Sequence, residues 1–159
     1  MSAPLNASRS IQPFRPYRHF APDDTAGSRS QLRGPHRILI VEDDVLIASQ
    51  MEAALSDAGF EVVGTLTTGE EALQTASTHR PDLAIMDIRL AGDRDGVDTA
   101  LELFESHGIR CIFASAYSDQ EARRRAEGAS PLGWLQKPYT MQALTRMVRA
   151  ATETMRNEN

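Results

Sequence analysis

Short apolar runs alternate with stretches whose apolar residues fall three and four apart, and the alternation repeats five times between Arg37 and Met155. The run RILIV at 37–41 is a short apolar strand. From Val45 to Ala58, Ile47, Met51, Leu55 and Ala58 keep helical spacing, and Gly59 ends the pattern. FEVVGTL at 60–66 predicts a second strand. TGEE at 68–71 has the form of a capping box and opens a helix to about His79, ahead of Pro81. LAIMD at 83–87 is the third strand, and a helix follows from about Gly96 to Ser106 with Val97, Ala100, Leu101 and Phe104 inward. CIFAS at 111–115 is the fourth strand, and SDQE at 118–121 is a second capping box that starts a short polar helix. LGWLQ at 132–136 is the fifth strand, after which Thr140 caps a helix with the stripe Met141, Leu144, Val148, Ala151 and Met155. Apolar strands alternating with amphipathic helices predict an α/β fold: a doubly wound, five-stranded parallel sheet covered on both faces.

In such sheets the site lies beyond the carboxyl ends of the strands, at a topological switch point. The strand ends here are not ordinary surface. The first is followed by Glu42, Asp43 and Asp44, the third ends in Asp87, the fourth in Ser115, and the fifth leads into Lys137. Clustered carboxylates raise one another's pKa unless a cation sits among them. Oxygen ligands from Asp43, Asp87 and a backbone carbonyl suit Mg²⁺, which takes few carboxylates and keeps several waters. A carboxylate beside such an ion can attack a phosphoryl group and form an aspartyl-phosphate. The transferred oxygens then need compensation, which Mg²⁺, the Ser115 hydroxyl and the Lys137 ammonium would each supply. Asp44, at the start of the first helix, reads instead as its N-cap.

Lys137 is the only lysine; the other cations are sixteen arginines. One site needing a compact ammonium on a flexible stem, rather than a planar guanidinium, explains that exception. Pro138 then shapes the turn that aims it, and the sequence does not decide whether the bond between them is cis.

Composition narrows the class. A length of 159 residues fits one domain with a modest appendage. A net charge of −5 argues against nucleic acid as the partner of the whole molecule. No apolar stretch approaches a membrane span, and a cytoplasmic setting is expected. The single Cys111 excludes an intramolecular disulfide, and its place in an apolar run makes it a buried small hydrophobe. Arg123, Arg124 and Arg125 read as the solvated face of a short helix. Residues 1–36 differ from the rest: five prolines, little aliphatic content and a charge of +3 against −8 for residues 37–159. Proline at that spacing blocks helix and sheet, so this segment is expected to be a flexible or loosely docked arm. The arm's charge favours docking on its own domain or on a second copy, giving a homodimer.

Taken together and in order, ILIVEDD, LAIMDIRL followed by Asp95-Gly96, IFASAY and LQKPY closely resemble a response regulator receiver domain of two-component systems, over Arg37 to about Met155. The resemblance implies a (βα)5 flavodoxin-like receiver fold across 37–159. It makes Asp87 the phosphoacceptor, Asp43 a direct Mg²⁺ ligand, Glu42 a ligand through water, and the Arg89 backbone carbonyl a further ligand. Ser115 becomes the hydroxyl switch residue, Lys137 the lysine of the site, and Trp134 the rotating aromatic of the fifth strand. FASAYSD resembles the FAT-GUY subgroup of single-domain regulators, whose partners are HWE-type or related histidine kinases, although Ser115 and Ala116 stand where that subgroup has threonine and glycine. Two departures lie after the acceptor: Ala91 replaces a usual proline, and the loop to Asp95-Gly96 is one residue longer than common.

The expected role is therefore a stand-alone receiver that takes a phosphoryl group from a sensor histidine kinase or a phosphotransfer protein. It is not expected to be an enzyme beyond its own phosphorylation and dephosphorylation. The signal would leave by contact with a downstream protein or by phosphorelay. Two rivals remain. A haloacid-dehalogenase-type phosphatase also uses an aspartyl-phosphate, but it wants a second Asp where Arg89 stands. A receiver scaffold that never switches is disfavoured by the complete acceptor set.

Overall fold

The computed structural model describes residues 34–116 and 118–159. The arm expected over residues 1–36 therefore lies outside the described residues up to residue 33. The elements in chain order are β1 (Arg37–Val41), α1 (Val45–Asp57), β2 (Glu61–Leu66), α2 (Gly69–His79), β3 (Leu83–Asp87), α3 (Gly96–His107), β4 (Arg110–Ser115), α4 (Gln120–Ala126), β5 (Gly133–Gln136) and α5 (Met141–Asn157). The strands form one parallel sheet in the order β2-β1-β3-β4-β5. This is the flavodoxin-like order expected from the sequence, and its switch point lies between β1 and β3.

Alternation along the strands divides the core. Leu39, Val41, Ala84, Met86, Cys111 and Phe113 pack toward the side of Ala72, Val97, Ala100 and Leu103, from α2 and α3. Ile38, Ile40, Leu83, Ile85 and Ile112 pack with Met51, Leu55, Leu144 and Val148, from α1 and α5. A strand buried on both faces has no polar face, which is why β1 and β3 read as continuous apolar runs. Cys111 is among these buried residues, and burial pushes its thiol up to about 12, so it behaves as a hydrophobe.

The helix starts follow local chemistry. The Asp44 carboxylate accepts from the Leu46 and Ile47 N–H groups and caps α1. Thr68 and Glu71 form the reciprocal capping box of α2. Asp95 caps α3 and Thr140 caps α5. The box expected at 118–121 is absent. α4 starts after Asp119 with no side-chain cap, because the Asp119 carboxylate accepts from the Ala116 N–H instead.

The arginines of α4 are exposed, as expected, and two of them also reach across to neighbouring elements. Arg125 spans the start of α3, with its Nη1 2.8 Å from Asp95 Oδ2 and its Nη2 2.7 Å from Asp98 Oδ1. Arg123 lies over the Trp134 ring, 4.6 Å from its centroid. Arg124 pairs within the helix with Glu121. α4 contributes Ala126 as its buried residue, so charge and stacking hold it as much as apolar burial does. Among the described residues, no helix is long and apolar enough to cross a membrane.

Asp95-Gly96 fixes the loop that follows β3. The Gly96 N–H donates to the Ile88 carbonyl at 2.8 Å. A Cβ on Gly96 would stand 1.9 Å from the Asp87 carbonyl oxygen, so the backbones approach as only glycine permits. Ala91, where a proline is usual, forms an isolated parallel bridge with Thr68, so the loop is tied by backbone pairing. Gly96→Ala is expected to cost more than about 2 kcal/mol by forcing these backbones apart, read as a lower urea midpoint at unchanged slope.

Burial of Asp95 opposes its charge, but the Arg125 guanidinium and the Asp98 N–H outweigh it and hold the carboxyl below its ordinary value. A lowered folded-state pKa adds stability above the unfolded value of about 3.9, and that stability is lost as pH falls through the folded value. Urea unfolding from pH 6 down to pH 3 should therefore show a smaller acid loss in Asp95→Asn than in the native chain, with the difference confined to pH below about 4.

Candidate functional site

The ends of β1 and β3 sit side by side because the chain winds in opposite directions from them. β1 passes directly into Glu42, whose N–H donates to the Leu66 carbonyl at 2.9 Å, and then into the exposed Asp43. β3 ends in buried Asp87. Carboxylate oxygens of Glu42, Asp43 and Asp87 all lie within 4.8 Å of one another. Lys137 follows β5 directly, is joined to Pro138 by a cis bond, and extends its Nζ to 3.0 Å from Asp87 Oδ2 and 3.7 Å from Glu42 Oε2. Its backbone N–H donates to the Ser115 carbonyl at 2.8 Å, so β4 and β5 deliver hydroxyl and ammonium together.

Burial pushes the Glu42 carboxyl up to about 7, and the Asp87 charge adds to this against the Asp44 N–H and Lys137. For Lys137, burial alone would lower the ammonium's pKa. The hydrogen bond to Asp87 and the charges of Asp87, Glu42 and Asp43 outweigh it, and the value is raised. One ammonium among three carboxylates leaves negative charge uncompensated. Among the described residues, two buried side-chain atoms also lack a hydrogen-bond partner: Glu42 Oε2 and Ser115 Oγ. An all-oxygen set carrying excess negative charge, with one buried carboxylate oxygen of Glu42 lacking a hydrogen bond, fits a hard divalent cation such as Mg²⁺. The orphaned Ser115 hydroxyl fits a group that brings its own acceptor oxygens.

Glu42, Asp43, Asp87 and Lys137 thus come together as the sequence predicts, with Ser115 at the neighbouring strand end. Arg89 donates its backbone N–H to Asp87 Oδ1 at 3.2 Å, while its guanidinium lies 3.9 Å from Asp119 Oδ1. Trp134 lies on β5. It pairs in register with Phe113 and stacks on it, with centroids 4.6 Å apart and planes 18° apart. Two residues escaped sequence reasoning. Tyr139 has its hydroxyl pushed up to about 12 by burial, with the Glu42 and Asp87 charges adding to it, and contacts Met51 Sδ at 3.8 Å. Asp119 reads locally as part of a capping box and only the folded loop turns it toward Ala116 and Arg89.

The sequence pattern of the response regulator receiver domain matches residues 38–149. The chain belongs to the response regulator receiver family. Transcriptional regulatory protein PdtaR of Mycobacterium tuberculosis is 34% identical over 122 residues, which cover 77% of this chain and 59% of PdtaR. Chemotaxis protein CheY of Bacillus subtilis is 31% identical over 121 residues, covering 76% of this chain and 98% of CheY. Among solved structures, the signal receiver domain of a modulated diguanylate cyclase from Desulfovibrio desulfuricans G20 superposes with a TM-score of 0.72 at 36% identity, covering 79% of this chain and 99% of that one. The chain thus spans about three fifths of PdtaR and nearly all of CheY. Receiver membership, with Arg89 where the haloacid-dehalogenase family carries its second aspartate, leaves the phosphatase reading without support.

A buried hydroxyl without a partner costs roughly 1–3 kcal/mol against a satisfied one. Ser115→Ala is therefore expected to leave stability unchanged or raise it by up to about 1 kcal/mol, measured by urea unfolding without phosphodonor. A loss of that size would mean that the hydroxyl is already bonded in the resting protein.

Proposed function

We propose that this receiver accepts a phosphoryl group on Asp87 from a phosphohistidine of a sensor histidine kinase or phosphotransfer protein. The observation that carries the proposal is the Lys137 ammonium 3.0 Å from Asp87 Oδ2, with a partnerless buried hydroxyl at the adjoining strand end. In the transfer, an Asp87 carboxylate oxygen attacks phosphorus. A P–O bond forms, the P–N bond to the donor imidazole breaks, and the departing nitrogen keeps the electron pair and is reprotonated. Lys137 balances charge on one phosphoryl oxygen and the Ser115 hydroxyl donates to another. Asp43 and Asp87 would hold Mg²⁺ directly, with the Arg89 carbonyl as a further ligand and Glu42 acting through water; the ion would neutralise the carboxylates and the third oxygen.

The state of the site is then read through Ser115 and Trp134 and leaves by protein contact or onward phosphotransfer, with no catalysis of a separate substrate. A macromolecular donor is favoured by Val45 and Leu46, which are 69% and 77% exposed in the first turn of α1, directly after the acid cluster. FASAYSD supports an HWE-type kinase as that donor, and a cytoplasmic location accords with this role. The basic residues before 37 support arm docking, on this chain or on a second copy as a homodimer.

Incubation with a phosphorylated histidine kinase or with acetyl phosphate should label the native chain in a Mg²⁺-dependent way. Asp87→Asn should take no label while its thermal unfolding stays cooperative. Label retained at another residue would reject Asp87 as the acceptor.

A further inference from the structure

The contacts of Asp119 are unusual for its position. It precedes α4, where an aspartate normally accepts from the N–H groups of the first turn. Here it caps nothing in α4. One carboxylate oxygen accepts from the Ala116 N–H at 3.0 Å, and the other lies 3.9 Å from the Arg89 guanidinium. Both partners adjoin the acceptor site. Ala116 follows Ser115, whose Oγ has no partner, and the Arg89 N–H is already on Asp87 Oδ1. An anion supplied by the chain itself thus holds two donors beside the place where a second anion would form.

The two grips on Asp119 differ in strength. Its side chain is only 15% exposed, but that of Arg89 is 81% exposed, and a pair at 3.9 Å in water is weak. A phosphoryl group on Asp87 adds up to two negative charges within reach of the same donors. It attracts Arg89 and the Ala116 N–H and repels the Asp119 carboxylate. Once displaced, that carboxylate has an unused alternative a few residues away, the orphan N–H groups at the start of α4.

We propose that Asp119 is a two-position residue. In the resting chain it occupies the Ala116 N–H and Arg89; with Asp87 phosphorylated it yields them and moves to cap α4, tightening that helix's first turn. This rests on Asp87 being the phosphoacceptor. α4 suits such control, because charge and stacking through Arg125 and Arg123 hold it beside a small buried contribution.

The test uses the full chain with Mg²⁺ and beryllofluoride, an aspartyl-phosphate mimic, and reads amide hydrogen exchange at Glu121 and Ala122 by NMR. Binding itself is followed by the fluorescence of Trp134, the single tryptophan. In the native chain, beryllofluoride should slow exchange at these amides by about fivefold, the effect of one gained cap. Asp119→Ala should bind beryllofluoride and show no slowing, while Asp119→Asn, which caps comparably, should keep it. Beryllofluoride binding with unchanged exchange in the native chain, or equal slowing in Asp119→Ala, overturns the role of Asp119 and leaves the acceptor assignment standing. A native chain that does not bind beryllofluoride overturns the acceptor assignment, and this proposal with it.

Discussion

Asp87 ends a strand that is buried on both faces, and its carboxylate has almost no access to water. A charge so placed must be compensated from within the protein. Lys137 supplies the compensation at 3.0 Å, and the rest of the site follows from delivering it there. Lys137 comes from the far side of β4, two strands from Asp87, at the end of the edge strand β5. The short β5 strand and the backbone bond from Lys137 to the Ser115 carbonyl set that path. One ammonium is still too little for three carboxylates. Burial, with the Asp87 charge adding to it, raises Glu42, and the remaining imbalance makes the site receptive to a further cation.

The same economy of charge extends along the loops. Gly96 brings the α3 start against the backbone of Asp87, and Asp95 beside it caps α3 and receives Arg125 from α4. Arg123 reaches from α4 to Trp134, which stacks on Phe113 of β4. The Asp87 backbone, the α3 start, α4 and β5 are linked by an apolar cluster that includes Val97, Phe113, Ala126 and Trp134, and also by a few polar contacts. Such contacts exchange more readily than packed side chains, because a new charge can compete for them directly. Where a core is close-packed it resists small adjustments. The two apolar layers under the sheet are of that kind, and they hold the strand ends still while the loops above them remain open to rearrangement.

Every strand and α-helix in the described residues was legible in the sequence, because burial on two faces writes apolar runs and amphipathic packing writes helical spacing; the 3-10 turn at Glu127–Ala129 was not. The four carboxylate and lysine residues of the site were legible for a related reason: a charged residue at the end of an apolar run is placed by the run itself. Asp44, Thr68 and Thr140 announced their caps because capping is decided within four residues. The sequence could not determine where a side chain with two local options would turn. Asp119 was misread on that account, since a capping box was a good local answer, and the α4 arginines, exposed as expected, gave no local sign of their partners. Tertiary structure chose otherwise by bringing Ala116, Arg89, Asp95, Asp98 and Trp134 within reach, residues that lie 3 to 30 positions away along the chain. It also decided that Ser115 Oγ and Glu42 Oε2 would be buried without partners, because the absence of a donor is a property of the whole surrounding shell and of no local stretch of residues.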